Sequence, residues 1–167
     1  MNPQDWSHPI HPEYTVSTRK ELFDLLAIND ALDSNMVYWG ARLPEDVLRK
    51  MLDNSLSFGM YHTGSDGVRQ QIGLARLITD EVSFAYLTDF YILSQHQGKG
   101  LGKWILRILD DTLSSWPHLR RLMFITDPKN GKPFYEAQLE RCHELGLAPK
   151  GYLVMEKLYD GAPQAFR

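Results

Sequence analysis

The run Asp89-Phe90-Tyr91-Ile92-Leu93-Ser94-Gln95-His96-Gln97-Gly98-Lys99-Gly100-Leu101-Gly102-Lys103 carries the densest chemistry in the chain. Apolar residues typical of a strand lead into glycines at alternate positions, and the glycines lead into an apolar stripe of helical spacing. Glycine lets a backbone approach a ligand closely. The first N–H groups of the following helix have no partner inside it and point outward. The helix dipole adds positive potential at that end. Lys99 and Lys103 add cationic charge. The combination is an anion site suited to a diphosphate. It is not a nucleoside-triphosphate loop, which needs G-x-x-x-x-G-K-[ST]. Gly98 to Gly102 is one residue too short, and Trp104 stands where a hydroxyl should hold magnesium. Nor is it a dinucleotide fingerprint, because position 103 is Lys where G-x-G-x-x-G needs glycine.

Other elements must position this loop. Residues 1–13 read as an extended arm, with Pro3, Pro9 and Pro12 removing backbone donors. Tyr14–Ser17 alternates as a short strand. Thr18 and Glu21 form a capping box for a helix expected over Arg19–Leu32. Pro44 opens a second helix to Asn54. Three strands are expected next, at Leu56–Thr63, Gln71–Thr79 and Val82–Leu93, with the turn cluster Gly64–Gly67 between the first two. A helix to Ser115 buries Leu101, Trp104, Ile105, Ile108, Leu109 and Leu113. Arg121–Thr126 reads as a strand buried on both faces. Pro133 opens a helix expected over Phe134–Leu145, ended by Gly146, and Tyr152–Leu158 is a last strand. The order is β-α-α-β-β-β-α-β-α-β, an α/β fold on one mixed sheet.

Composition narrows the class. A length of 167 residues predicts one domain, here residues 14–167 behind the arm. The net charge of −3 argues against nucleic-acid binding. The single cysteine, Cys142, excludes an intrachain disulfide and suggests a cytoplasmic protein, with the nucleus also open. No apolar run reaches the roughly 18–20 residues of a membrane helix, and residues 1–12 lack the apolar core of a signal peptide. No His, Cys and Asp cluster has metal-ligand spacing, so no metal is expected, and His118 and His143 read as surface residues.

Gln95-His96-Gln97-Gly98-Lys99-Gly100 and the overlapping Gln97-Gly98-Lys99-Gly100-Leu101-Gly102 both fit Q/R-x-x-G-x-G/A. That pattern resembles the acetyl-CoA diphosphate loop of the GNAT N-acetyltransferase superfamily. The resemblance covers about Tyr14 to Lys157. It includes Tyr38-Trp39, the run Asn54-Ser55-Leu56-Ser57-Phe58-Gly59-Met60-Tyr61 and the run Gly73-Leu74-Ala75-Arg76-Leu77-Ile78-Thr79-Asp80. Phe84-Ala85-Tyr86-Leu87-Thr88-Asp89 and Phe134-Tyr135-Glu136 complete it. It implies the GNAT fold, a mixed and mostly antiparallel sheet flanked by helices, with two strands splayed to admit the pantetheine arm. The implied activity is acetyl transfer from acetyl-CoA to an amine-bearing acceptor, small molecule or protein, by a monomer or homodimer.

The same resemblance implies residue roles. The backbone of Ile92 and Leu93 lies beside the pantetheine, and Gln97, Gly98, Lys99, Gly100, Leu101, Gly102 and Lys103 hold the rest of the cofactor. Tyr135 is the general acid for the departing thiolate, a role that suits a phenol neutral at pH 7. Asp89 is the base, directly or through water, with Asp127 a weaker candidate. Tyr38 and Trp39 line the acceptor site. Aligned from the far end of the last helix, Cys142 takes the tyrosine's position instead. A second reading, a catalytically inactive acyl-CoA-binding regulatory module, stays open beside the enzyme.

Overall fold

The computed structural model describes residues 2–37, 39–145 and 153–158. They fall into two compact units, Met1–Arg76 with Asp89–Ile105, and Leu77–Thr88 with Leu106–Arg167. The strands are β1 (Asp5–Ser7), β2 (Tyr14–Ser17), β3 (Leu56–Thr63), β4 (Arg69–Thr79), β5 (Phe84–Ile92), β6 (Arg121–Thr126), β7 (Cys142–Glu144) and β8 (Leu153–Leu158). The α-helices are α1 (Leu25–Leu32), α2 (Glu45–Asp53), α3 (Leu101–Ser114) and α4 (Gly131–Glu136). Strand order through the sheet is β1-β2-β3-β4-β5-β6-β8-β7, with β4 and β5 running through both units.

In the first unit β1 pairs antiparallel with β2, Trp6 opposite Val16, and β2 pairs antiparallel with β3, Tyr14 opposite His62. The arm expected over residues 1–13 therefore contributes a strand. Its hold is partly side-chain: Ser17 Oγ donates to Asp5 Oδ1 at 2.6 Å and Arg19 Nε to Asp5 Oδ2 at 2.8 Å. The same arm overturns the expected capping box. Thr18 Oγ1 accepts from Gln4 N–H at 2.9 Å, so it is engaged with the arm. Lys20–Leu22 is only a 3-10 turn, and Phe23 is extended again. The helix starts instead at Asp24, whose Oδ1 accepts from the N–H groups of Leu26 and Ala27, both at 3.1 Å. α1 and α2 bury Ile28, Leu32, Leu48 and Leu52 with Leu74 of β4 and Tyr91 of β5. Each such side chain contributes roughly 1.5–3 kcal/mol by leaving water.

In the second unit β5 and β6 pair in parallel at Phe84↔Arg121, Ala85↔Leu122 and Tyr86↔Met123. β6 runs antiparallel to β8 along its whole length, and β7 covers the other edge of β8. The tight connection into β5 is closed by Asp80, whose Oδ1 accepts from Val82, Ser83 and Phe84 N–H groups. Two expectations fail here. β6 is not buried on both faces: Leu122 and Phe124 are buried, but Ile125 is 55% exposed. The last helix is short. Helical bonding runs on to Leu139, whose N–H donates to Tyr135 O at 2.9 Å, and Arg141 then turns the chain at φ 57°. The ladder to β8 instead draws Cys142–Glu144 into a strand, a tertiary pairing that outweighs local propensity. Gly146 and Tyr152 lie outside the described residues.

Candidate active site

The loop after β5 is built in three steps. Leu93 N–H donates to Ile72 O at 2.8 Å, prolonging the sheet, and Leu93 O accepts from His96 N–H at 2.9 Å, closing a 3-10 turn. Gln97 then reaches back, its Nε2 donating to Ile92 O at 2.7 Å, which ties the loop to the strand end. Gly98 and Gly100 follow at φ 76° and 77°, the left-handed region that side chains avoid. A Cβ at either would meet no atom within 4 Å, so the space above both is open. α3 begins at once: Trp104 N–H donates to Gly100 O at 3.1 Å. That is the first bond of the helical ladder, so the N–H groups of Leu101, Gly102 and Lys103 precede it. Leu101 and Ile105 are buried and fix the helix start, while Trp104 is only half-buried. Open space, left-handed glycines and unladdered donors fit a diphosphate such as that of CoA.

Two side chains from outside the loop, Tyr14 and His62, close on His96 and Lys99 within it. Lys99 Nζ donates to Tyr14 Oη at 2.8 Å, and Tyr14 Oη lies 3.3 Å from His96 Nδ1. The His62 ring is 4.8 Å from Tyr14 and 5.0 Å from His96, centroid to centroid. Burial, then the nearby His62 and Lys99, push the His96 imidazole below its ordinary value.

Asp89 lies in the same unit, buried, at φ 47° within β5. Its Oδ2 accepts from Arg76 Nε at 2.7 Å and its Oδ1 from Trp39 Nε1 at 3.2 Å. The structure thus brings two expected site residues, Trp39 and Asp89, into direct contact, with Arg76, which sequence reasoning missed, on the other oxygen of Asp89. Tyr38 lies outside the described residues. Tyr91 is buried, as Asp89 is. Ile92 is buried against Gly73, where a Cβ would come 2.7 Å from Tyr91 O and 3.3 Å from Ile92 Cγ1. The glycine of the Gly73–Asp80 run is therefore a close-approach position for the strand that carries the candidate base.

Tyr135 belongs to the second unit. It is buried on α4, its ring 4.2 Å from that of Phe124 and 5.1 Å from that of Phe134. Burial foremost, with the charges of Cys142 and Asp127, holds its hydroxyl well above the ordinary tyrosine range, so it keeps its proton. Cys142 lies on β7 and not on a helix, which removes the alignment along one long helix. Burial pushes its thiol up to about 11. Asp127, the weaker base candidate, has both oxygens engaged at the start of α4. Oδ1 accepts from Lys129 and Asn130 N–H and Oδ2 from Gly131 N–H. No group of three potential metal ligands occurs among the described residues, and no helix there is long and apolar enough to cross a membrane.

Residues 22–139 match the model of the acetyltransferase (GNAT) family. The chain is 44% identical over 140 residues to a Gibberella zeae protein assigned as an acetyltransferase, covering 76% of this chain and 77% of that one. Among solved structures it is similar to a GNAT-family protein of Xanthomonas campestris, with TM-score 0.60 and 30% identity over 75% of this chain and 84% of the other. It shares its fold with spermidine N-acetyltransferase of Vibrio cholerae, solved with CoA and spermine. The TM-score there is 0.64 at 22% identity, over 87% and 95% of the chains.

Proposed function

We propose, for a chain that belongs to the GNAT acetyltransferase family, that it moves the acetyl group of acetyl-CoA directly to a primary amine in a ternary complex. The carrying observation is the pair of left-handed glycines, open above, immediately before the unladdered N–H groups of α3. Gly98 to Lys103 bind the diphosphate through these N–H groups and through the ammonium groups of Lys99 and Lys103. The backbone of Ile92 and Leu93 flanks the pantetheine. Since Leu93 N–H is given to Ile72 and its carbonyl accepts from His96 N–H, its share falls to the second lone pair of that carbonyl. Bound acetyl-CoA supplies the acyl group as a thioester.

The chain's own residues then manage protons and position. An alkylammonium, with a pKa near ~10.4, must lose a proton before its nitrogen can attack. Asp89 receives it, directly or through water. Trp39, 47% exposed and tethered to Asp89, forms a wall for the acceptor. Tyr135 donates its phenolic proton toward the sulfur as the carbon–sulfur bond breaks, a task for which a hydroxyl held protonated is suited. Holding both reactants together supplies much of the acceleration. Residues 14–167 act as one catalytic domain in this scheme, in the cytoplasm.

The test is release of free CoA thiol from acetyl-CoA over a panel of amines, beginning with polyamines and including amino acids and peptide N-termini. Amine-dependent release above the hydrolysis background is the expected result. CoA binding with no release over the whole panel would favour the inactive binding module, and no CoA binding at millimolar concentration would sink both.

A further inference from the structure

We propose that Tyr14 is a positioning residue for diphosphate binding: its hydroxyl holds the Lys99 ammonium and the His96 ring, so the loop's cation is set before the ligand arrives. The inference rests on the reading above that this loop binds CoA.

Lys99 stands between two left-handed glycines, and a lysine there has a flexible backbone beneath a flexible side chain. Its position is nevertheless specified. Nζ donates to Tyr14 Oη at 2.8 Å and lies 5.5 Å from the centre of the tyrosine ring. Tyr14 can hold it because Tyr14 is itself fixed. The residue is 3% exposed, β2 pairs it with His62 of β3, and the two rings lie 4.8 Å apart at a tilt of 40°. The hydrogen-bond valences close. The hydroxyl accepts one N–H of the ammonium and gives its own proton to His96 Nδ1, 3.3 Å away. This requires His96 neutral with its proton on Nε2. Burial, with His62 and Lys99 nearby, favours that neutral form. His96 is anchored in turn by its N–H on Leu93 O. One hydroxyl thus grips the loop at residue 96, before the glycines, and at residue 99, between them. An ammonium has three donors, and Tyr14 takes one, leaving two for phosphate oxygens. Fixing a flexible side chain in advance strengthens binding by removing part of the ordering cost.

The test uses the full chain, with Tyr14→Phe, Lys99→Ala and the double variant. Tyr14→Phe keeps the ring and deletes only the oxygen. Calorimetry should show CoA bound about tenfold more weakly by Tyr14→Phe, equal to about 1.4 kcal/mol. In the Lys99→Ala background the same substitution should have no further effect, because the lysine through which it acts is gone. The KM for acetyl-pantetheine, which has no diphosphate, should not move in Tyr14→Phe. Equal losses toward acetyl-CoA and acetyl-pantetheine would mean a general packing role and overturn the proposal. So would an undiminished tenfold effect in the Lys99→Ala background, or unchanged CoA affinity in Tyr14→Phe. Failure of the unaltered chain to bind CoA would instead bring down the function itself, and this inference with it. If Tyr14→Phe does not fold, His96→Ala reads the same linkage, with weakened CoA binding expected and unchanged binding overturning it.

Discussion

An aspartate at φ 47° inside a strand is a local strain that its neighbours must hold in place. Arg76 is the neighbour with the most at stake, since the side chains of the pair are only 11% and 8% exposed. Removing one member of a buried pair leaves the other charge poorly solvated, so Arg76→Met should destabilise the fold by about 3 kcal/mol. The denaturant midpoint measures this, and a loss under about 1 kcal/mol would show that Trp39 and water suffice. None of this was legible in the sequence. Arg76 and Asp89 are thirteen residues apart on two strands, and neither their contact nor the left-handed backbone at Asp89 has a sequence signal. The geometry of the glycine loop was legible because glycine spacing reports main-chain conformation directly, and Gly98 and Gly100 do take the left-handed region. Tyr135 is intermediate: its place on a helix could be read, its packing against Phe124 could not. If its hydroxyl protonates the leaving sulfur, Tyr135→Phe should lower kcat on the order of 10²-fold, the low end for a general acid. A thiol resembling cysteine, with a pKa near ~8.5, is already a fair leaving group. Cys142→Ala, on β7, should leave kcat within about threefold, a change under ~1 kcal/mol. The reverse pattern in steady-state rates would return the acid's role to Cys142.

Elements rather than residues decide where α4 sits, and Asp127 is the lever. Its carboxylate accepts the N–H groups of Lys129, Asn130 and Gly131, at 3.0, 2.8 and 3.1 Å. The Asn130 bond, foremost, holds its carboxyl below the ordinary 3.8. A depressed carboxyl stabilises the fold above its unfolded value and ceases to do so as pH falls through the lower folded value. Asp127→Ala should therefore cost about 1 kcal/mol at neutral pH, the usual worth of a side-chain oxygen that caps backbone N–H groups, here those of the turn leading into α4. The gap between variant and parent should close below pH 3.8. Thermal melts between pH 7 and pH 3 would reveal it, and a gap independent of pH would assign the loss to something other than the carboxylate. Elements with strong local signals were legible: β3 and β6 have the bounds their sequences predict, and Pro44 stands at the N-cap of α2. Those set by partners were not. β1 exists because β2 offers an edge, β7 because β8 does, and α1 starts late because Thr18 is engaged with Gln4.

At the scale of the molecule the question is whether ligand binding at one loop is felt by the whole fold. A ligand that binds only the folded chain stabilises it by mass action, about 2.7 kcal/mol at a hundred times Kd. For a chain of this size that corresponds to a rise in Tm of roughly 5–10 °C. Net charge of −3 does not forbid such an anion, because the loop supplies its own N–H donors and lysines. Gly100→Val separates loop from fold. The side chain would enter the open space above Gly100, where no atom lies within 4 Å, and where a bound diphosphate should sit. It also forces a branched residue to φ 77°, a strain of about 1–2 kcal/mol. The unliganded variant should therefore melt some degrees lower than the parent, still cooperatively, and millimolar CoA should no longer raise its Tm. A second outcome is informative. If strain lowers the melt but CoA still adds its full increment, the diphosphate does not use the space above Gly100. The anion site would then have to be sought away from this turn.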